Sequence, residues 1–384
     1  MLRTLVSAAL VAGTLSSAAS LPVRSTSLSP RASVLSPKIF IISMFSYEEE
    51  AWYGIPEFNI LENNITVPGF SPIYPDAHCT SNGTICQLTT GESEINAAVT
   101  IASLVRSPQF NLTSTYFMVA GIAGVNPEVA TICAVTFARY AVQVALQYEF
   151  SQFEIPTNYT SGYIPLGSEA ADQYPLSIYG TEVFELNQDL QKLAAGFART
   201  ATLNDSDEAV AYRALYATSP LSIAEGVDYT AATLPPSVIE CDVATSDVYY
   251  SGRILGEAFG NFTKLVTNGT GVYCTTAQED NATLEALMRA AVDGLVDFAR
   301  VIVMRTASDM DRPWAGEAAT TNLLFSNQGA FLPALANIYL AGVKVVEGIL
   351  GEWDSKYSAG VNATNYIGEL KFQSWNERDR SNVR

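Results

Sequence analysis

Histidine, lysine and cysteine are scarce in this chain of 384 residues, and their scarcity excludes several kinds of site. His78 is the only histidine, so a metal centre built on clustered histidines is excluded. A Ser-His-Asp triad that depends on this one residue is disfavoured for the same reason. The five cysteines show no C-x-x-C spacing of the kind that holds zinc. The sequence predicts neither a metal nor a cofactor.

Positive charge is also in short supply. The chain carries 21 Lys and Arg against 39 Asp and Glu, which gives a formal net charge of −18. A protein that binds nucleic acid or an anionic membrane needs basic patches to neutralise phosphate. We therefore expect neither kind of partner.

Long apolar runs are missing after the first twenty residues. The most apolar later stretch, 331–350, is interrupted by Asn337, Lys344 and Glu347. Its apolar residues recur every three or four positions, which is typical of a helix packed on a sheet. A membrane span needs roughly twenty predominantly apolar residues. The sequence predicts that the mature chain does not cross a bilayer.

The N-terminal segment has the pattern of a secretory signal peptide. Arg3 precedes an apolar stretch from Leu5 to Leu15, and small residues at 16–20 offer a cleavage site. Residues 21–37, rich in Ser and Pro, are predicted to be a mobile leader, and 38–384 a single folded domain. The protein is thus predicted to be extracellular or located in the cell wall.

Glycosylation motifs and cysteines fit an oxidising compartment. Cys79 and Cys86 flank a turn-rich segment and are the best candidates for a disulfide, Cys241 and Cys274 could form a second, and Cys133 is predicted to be a buried free thiol. Asn281 is a doubtful glycan acceptor, because it is predicted to lie beside the functional site. The nine N-x-S/T motifs begin at Asn64, Asn82, Asn111, Asn158, Asn204, Asn261, Asn268, Asn281 and Asn362.

Hydrophobic periodicity predicts alternating strands and helices. Strands are expected within 38–45, 85–93, 115–124, 241–252, 271–280 and 299–306, and 131–150 is expected to hold two strand segments or one bent strand. Helices are expected over 95–107, 182–198, 207–217, 254–267, 282–298 and 329–350. This alternation predicts an α/β fold with a layered mixed β-sheet flanked by helices. Ligands of such sheets bind at the carboxyl ends of the strands.

Polar residues gather where the predicted strand 299–306 ends. The segment TASDMDRP (306–313) places Ser308, Asp309, Asp311 and Arg312 directly after a β-branched run, with Arg305 at its end. In an arbitrary protein, ion pairs in a charged loop are the commoner interpretation. Charged groups at the mouth of a buried strand can also be poised for chemistry.

Two further strand ends carry chemistry-bearing residues. The run of Glu48, Glu49 and Glu50 follows the first strand and would suit a solvated helix start, although one carboxylate could face a pocket instead. Gly121 and Gly124 are predicted to form a turn after the third strand, where they would permit close backbone approach to a ligand.

Two other segments complete the predicted site. SDVYYSG (246–252) contains Tyr249, whose ring offers a flat face for a heterocycle, and TTAQED (275–280) contains Glu279, an acceptor for sugar hydroxyls. The alternative interpretation is a core tyrosine and a surface glutamate.

In this order and spacing, the segments resemble the nucleoside phosphorylase and nucleosidase superfamily. Over roughly 38–350 the chain resembles more closely the fungal purine nucleoside permease family, and the resemblance implies a nucleoside phosphorylase-like fold. It rests on KIFIISMFSYEEEAWYG, TTGESEINAAVTIASLV, YFMVAGIAGVNPEVATICAVTFARYAVQVALQYEF, SDVYYSG, YCTTAQEDNATLEAL and MRTASDMDRP.

The resemblance implies roles for individual residues. Asp309, next to Ser308, matches the aspartate that protonates or hydrogen-bonds N7 of a purine, and Glu279 matches the glutamate that binds ribose hydroxyls. The glutamate that activates water is best matched by Glu50 through its spacing, with Glu48 as the alternative. Further matches are Gly121 and Gly124 beside the sugar and Tyr249 near the base.

The chain departs from the superfamily pattern in two places. Gln278 stands where nucleosidases carry a methionine. Ala120 stands where phosphorolytic members carry a phosphate-binding arginine, so phosphorolysis is disfavoured unless Arg139 or Arg305 takes over that role.

The resemblance implies two functions and leaves a third open. In the first, a secreted protein binds purine nucleosides and supports their uptake, with an integral membrane carrier as partner. In the second, it is an extracellular purine nucleosidase that hydrolyses the N-glycosidic bond. A structural wall protein with a decayed pocket is the third. A homo-oligomer is a further expectation, because related scaffolds often complete their site across a subunit interface.

Overall fold

The structure, a computed structural model, describes residues 34–217 and 227–370. Its strands are Ile39–Ser43 (β1), Asn63–Thr66 (β2), Asp76–Cys79 (β3), Ile85–Thr89 (β4), Tyr116–Val125 (β5), Val135–Phe137 (β6), Tyr140–Gln143 (β7), Gln147–Glu149 (β8), Tyr163–Pro165 (β9), Val183–Glu185 (β10), Val238–Glu240 (β11), Asp242–Thr245 (β12), Tyr273–Ala277 (β13), Val301–Met310 (β14) and Gly368–Glu369 (β15). Its α-helices are Ser46–Glu50 (α1), Glu94–Val105 (α2), Gln188–Ala198 (α3), Asp207–Ala217 (α4), Arg253–Val266 (α5), Asp280–Val292 (α6), Ala319–Leu324 (α7) and Phe331–Gly351 (α8).

One large mixed sheet organises the described ranges. Its 13 strands follow the order β15, β10, β7, β12, β13, β5, β1, β4, β3, β2, with β14 beside β5 and β6, and β6 beside β11. The long strand β5 pairs in parallel with β1 and β14, and its end pairs antiparallel with β13. The hairpin of β8 and β9 stands apart from this sheet. The predicted layered mixed sheet with flanking helices is confirmed.

Helices cover both faces of the sheet. On one face, Ile101 and Leu104 of α2 and Leu284 of α6 share a buried cluster with Phe40 and Phe117. On the other face, α3 and α8 pack on β1, β5 and β14 through a second buried cluster. Because helices lie on both sides, β1 reads IFIIS and all of its residues are buried.

The helix α8 confirms the expected helix at the end of the domain. By length and composition alone it could cross a membrane, and 56% of its most apolar window is buried inside the protein. Ile338 and Val345 lie in the core against the central strands. That burial is what a core helix of a layered domain shows.

Four of the predicted element boundaries are wrong. β5 continues through Gly121 and Gly124 to Val125, so no glycine turn interrupts it. β14 continues to Met310, so Asp309 lies in a strand rather than in a charged loop. Residues 183–185 form β10 instead of the start of a helix, and 131–150 holds three short strands rather than one or two. In each case pairing with a neighbouring strand outweighs local propensity.

The structure contains both disulfides that the sequence suggested. Cys79 is bonded to Cys86 and Cys241 to Cys274, while Cys133 is free and buried. Leu35, assigned to the leader, pairs with Phe110 at the edge of the domain. The predicted signal peptide, 1–20, lies outside the described residues.

Candidate functional site

A cavity of about 260 Å³ opens where β5, β13 and β14 end, next to α1 and the start of α8. Among the residues that line it are Glu48, Gly124, Tyr249, Gln278, Glu279 and Ser308, which come from five separate parts of the chain. The parallel strands β1, β5 and β14 bring their carboxyl ends to one edge of the sheet. The antiparallel strand β13 reaches the same place because Thr276 pairs with Gly124 at the end of β5.

Glu48 is the acid that α1 contributes to the cavity. Its side chain is buried, and its two oxygens accept hydrogen bonds from the backbone N–H groups of Met44 and Ile122, both at 2.7 Å. Burial raises the pKa of Glu48 to about 8, and the nearby charge of Arg305 opposes that rise. A carboxyl with such a pKa can exchange a proton near neutral pH.

By its spacing, Glu50 was the better match to the glutamate that activates water in nucleosidases. The structure instead places Glu48 at the cavity. Its side chain is exposed and does not line the cavity, whereas Glu48 does. Two positions along an α-helix turn the direction of a side chain by about 200°, so these two side chains point to nearly opposite sides of α1. Glu49 also points elsewhere, since it contacts Tyr53 and lies 3.3 Å from Nε2 of His78.

Arg305 forms the floor of the cavity with two acids. Its Nη2 lies 2.7 Å from Oδ1 of Asp280 and 3.3 Å from Oε2 of Glu279, and its Nη1 donates to the carbonyl oxygen of Ile122 at 3.1 Å. All three charged side chains are almost fully buried. Because its N–H groups are engaged within the protein, Arg305 is poorly placed to hold a free phosphate.

One carboxylate oxygen of Glu279 takes part in this ion pair, and the other contacts the backbone just before the first residue of α2. Its Oε1 accepts from the backbone N–H of Ser93 at 2.9 Å. Burial raises the pKa of Glu279, and Arg305 and the Ser93 N–H act against that change. The paired carboxylate can accept hydrogen bonds from hydroxyl groups that enter the cavity.

Asp309 lies beside the cavity wall rather than on it. The register between β5 and β14 shifts between Ala307 and Asp309, so Ser308 is the additional residue of a β-bulge. The bulge puts Ser308 on the wall and pairs Asp309 with Gly124, another wall residue. β-Bulges often redirect a side chain next to a functional site.

The carboxyl of Asp309 is held in a partly buried environment. Burial raises its pKa to about 6, while a hydrogen bond of 2.7 Å from the Ser308 hydroxyl lowers it and the charge of Asp311 adds to the rise. Tyr249 is close enough that the charge of Asp309, together with burial, raises the pKa of its phenol. Asp309 and Tyr249 therefore lie near each other at this edge of the cavity.

Tyr249 and Gln278 form the outer part of the cavity. The Tyr249 side chain is 63% exposed, so one face of its ring is open to an incoming ligand. Gln278 donates from Nε2 to the carbonyl oxygen of Asp247 at 3.3 Å, which joins the loop after β12 to the end of β13.

The two glycines serve different purposes. Gly124 lines the cavity, and a Cβ there would lie 2.5 Å from Oγ1 of Thr276. Gly121 does not line it, because the side chains of Met44, Glu48 and Arg305 fill the space in front of its backbone. Gly121 therefore allows Glu48 and Arg305 to approach β5, and it lies behind these side chains rather than on the cavity wall.

Other predictions concern residues outside the cavity. Arg139 pairs with Glu185 and stacks on Tyr140, so it does not reach the cavity. Asn281 is buried and donates to the carbonyl oxygen of Thr181 at 2.8 Å, which excludes a glycan on it in the folded protein. The other eight N-x-S/T asparagines are exposed.

Sequence reasoning missed Phe331 on the cavity wall and Asp280, which lies behind the wall. Phe331 reaches the cavity from the start of α8, where its ring packs edge-on against Tyr47 at 5.8 Å. Asp280 binds Arg305, and its position next to Glu279 in the sequence was a signal that could have found it. For Phe331 no local signal exists, because only the packing of α8 brings it there.

The comparisons with known proteins agree on one family. A family model described as purine nucleoside permease (NUP) matches residues 36–362. The chain is 46% identical over 343 residues to a purine nucleoside permease of Candida albicans, which covers 88% of this chain and 81% of that protein. It is 40% identical over 329 residues to a probable purine nucleoside permease of Schizosaccharomyces pombe, covering 84% and 91%.

Two solved structures that this chain resembles are a nucleosidase and a hydrolase. A 5′-methylthioadenosine/S-adenosylhomocysteine nucleosidase from Neisseria meningitidis, in complex with methylthio-immucillin-A, has a TM-score of 0.47 at 14% identity and covers 82% of this chain and 99% of its own. Futalosine hydrolase of Helicobacter pylori has a TM-score of 0.43 at 14% identity, with 83% and 98% covered.

The family match spans most of the chain and includes every segment that builds the cavity. It confirms the family that the sequence motifs predicted. This chain belongs to the purine nucleoside permease family.

Proposed function

We propose that this protein binds purine nucleosides in the cavity at the ends of β5, β13 and β14 and supports their uptake from outside the cell. The observation that carries the proposal is the meeting of Glu279, Tyr249 and Ser308 around one cavity, with Asp309 beside it, in a chain of the purine nucleoside permease family. A purine attached to ribose can stack on an aromatic ring and donate its ribose hydroxyls to a buried acceptor. A carboxyl with a pKa near neutral can donate a hydrogen bond to the base.

Each end of a nucleoside has a suitable partner. The purine would stack against Tyr249, and its N7 would receive a hydrogen bond from Asp309 when that carboxyl is protonated. The ribose hydroxyls would donate to Glu279, whose carboxylate is already held in place by Arg305 and the Ser93 N–H. A group fixed before the ligand arrives loses little conformational freedom on binding.

The protonation states disfavour turnover at neutral pH. Hydrolysis requires an ionised Glu48 to take a proton from water and a protonated Asp309 to give one to the purine. With pKa values of about 8 for Glu48 and about 6 for Asp309, the opposite state dominates at pH 7. Molecules in which Glu48 is ionised while Asp309 is protonated are then a small minority.

The proposed location is outside the membrane, after removal of residues 1–20. Eight exposed glycosylation motifs and two disulfides are consistent with passage through an oxidising secretory route. An integral membrane carrier would then receive the nucleoside. Treatment of the protein from culture medium with an endoglycosidase should lower its mass, and an unglycosylated protein confined to cells would contradict this location.

A purine nucleosidase is the second candidate, and the position of Glu48 favours it. In this reaction water adds to C1′ of the ribose, the bond from C1′ to N9 breaks, and its electron pair leaves with the base. Glu48 would accept the proton of the water, and Asp309 would supply one to N7. Phosphorolysis is disfavoured, because Ala120 stands where the family resemblance implies a phosphate-binding arginine and Arg305 is already paired with acids.

One experiment separates the two candidates. The purified glycoprotein is incubated with adenosine, inosine or guanosine, with and without phosphate, while equilibrium dialysis measures binding and chromatography measures free base. Saturable binding without release of base supports the uptake function. Release of base without phosphate supports the nucleosidase. The absence of both would contradict both candidates, and release that needs phosphate would show a phosphorylase instead.

A further inference from the structure

The cavity has little positive charge to offer a ligand. Among its described lining residues, Arg305 is the one lysine or arginine side chain. Its Nε and Nη2 donate to Asp280, Nη2 also donates to Glu279, and Nη1 donates to the carbonyl oxygen of Ile122. Two carboxylates therefore surround one guanidinium, and the floor of the cavity is negative overall.

Carboxylates also gather at the rim of the cavity. Glu92 lines it with an exposed side chain, and Asp247 lies between the lining residues Ser246 and Val248. Asp247 is fixed there, since its Oδ1 accepts from the backbone N–H of Glu94 at 2.9 Å. Burial, followed by the charge of Asp247, raises the pKa of Glu94 to about 7.

We propose that the rim carboxylates Glu92 and Asp247 make this cavity selective for nucleosides over nucleotides. The inference rests on the proposed function, because it assumes that a purine nucleoside occupies the cavity. A 5′-monophosphate brings a doubly charged group among carboxylates, and no free cation of the described wall can pair with it. A nucleoside carries no charge and avoids this repulsion. Repulsive contacts of this kind are a general source of specificity.

The selectivity also places the protein within a reaction sequence. If nucleotides are rejected, the phosphate ester has to be removed before the purine compound can bind. The reaction that supplies the ligand is then hydrolysis of a phosphomonoester outside the cell, which yields a nucleoside and free phosphate. The phosphate released would not compete for the cavity, for the same electrostatic reason.

A competition experiment tests the proposal on the full-length secreted protein. Labelled adenosine is displaced by unlabelled adenosine or by adenosine 5′-monophosphate at pH 7.5 in 50 mM and 1 M salt, and the ratio of the two affinities is compared. The variants are the double substitution Glu92→Gln with Asp247→Asn, and Glu154→Gln as a control on an exposed glutamate that does not line the cavity. Asparagine at 247 retains the acceptor for the Glu94 N–H.

We expect the wild-type protein to prefer adenosine by at least about 30-fold at low salt, and by less at 1 M salt, where the Debye length is about 3 Å. The double variant should lower the preference about tenfold, and Glu154→Gln should leave it unchanged. Adenosine binding with equal affinity for the monophosphate, or a preference that the double variant retains, would overturn the selectivity alone. Absence of adenosine binding would overturn the proposed function itself.

Discussion

Glu48 accepts a hydrogen bond of 2.7 Å from the backbone N–H of Ile122, and this contact ties α1 to the central strand β5. The contact exists because Gly121 has no side chain, since a Cβ there would lie 2.5 Å from Oε1 of Glu48. A buried carboxylate is thereby fixed at the wall of the cavity by backbone groups. Its charge state should influence both ligand chemistry and stability.

The first prediction concerns the pH dependence of stability. The pKa of Glu48 is raised from its usual value of 4.5 to about 8 in the folded protein, so the folded state binds the proton more tightly. The free energy of unfolding should therefore fall as the pH rises towards 8. Glu48→Gln should reduce this fall between pH 6 and pH 8 by roughly 2 kcal/mol, measured by urea unfolding.

Glu50→Gln is the matched control for that slope. Glu50 is exposed on the same short helix, so its substitution should leave the pH dependence of the wild-type protein unchanged. Equal slopes for Glu48→Gln and the wild-type protein would contradict the buried, proton-binding state of Glu48. The slope, rather than the absolute stability, is compared, because glutamine places an amide donor opposite one of the two backbone N–H groups.

The second prediction concerns the sugar end of the cavity. Glu279→Gln should weaken adenosine binding by about tenfold, because a charged acceptor for the ribose hydroxyls becomes neutral. Binding of free adenine should change little, since the base has no ribose. Asp280 keeps its contacts with Arg305, so the fold should persist. An equal loss of affinity for adenosine and adenine, in calorimetric titrations, would remove Glu279 from the sugar site.

The third prediction concerns the base end. Asp309→Asn preserves shape but removes the titrating proton, so any release of free base should be lost while much of the nucleoside affinity remains. Asp172→Asn, on an exposed residue that does not line the cavity, is the control. Chromatography of the base and equilibrium dialysis provide the two readouts. Unchanged turnover in Asp309→Asn would exclude Asp309 as the acid.

The fourth prediction concerns a buried carboxylate that supports the sheet. Asp242 accepts from the backbone N–H groups of Arg139, Tyr140 and Val272 at 3.1, 2.8 and 2.6 Å. Asp242→Asn turns one acceptor into a donor that faces an N–H, and it should lower the free energy of unfolding by about 2–4 kcal/mol.

Asp293→Asn is the control for Asp242. Asp293 forms a half-exposed pair with Arg106 at 2.9 Å, so its substitution should cost less than about 1 kcal/mol in the same denaturant titration. Similar effects of the two substitutions would show that the three backbone contacts of Asp242 contribute little to stability.

Part of the site could be predicted from local sequence. Glu279 and Tyr249 stand in short polar segments after apolar strands, and Ser308 stands in the polar end of β14; all three line the cavity. The choice between Glu48 and Glu50 could not be made locally, because spacing along a chain does not reveal which side of a five-residue helix faces the sheet.

The ends of β5 and β14 could not be predicted from the sequence, for a similar reason. Glycines and charged residues usually mark the end of a strand, so β5 was expected to run into a glycine turn within 115–124 and β14 to stop near Thr306. They continue because they pair with each other over most of their length, and Arg305 is neutralised by Asp280 and Glu279 from a different element. Long-range pairing of this kind has no signature in a local window.

The sequence by itself determined the alternation of strands and helices, the absence of a histidine cluster and the identity of the polar residues available to the cavity, because these depend on composition and periodicity. The tertiary structure decided which of those residues meet. Glu48 rather than Glu50 enters the cavity, and Arg305 is held by acids instead of being open to phosphate. Both outcomes depend on packing between elements far apart in the chain. This packing decides which way a side chain points and which opposite charge lies next to it.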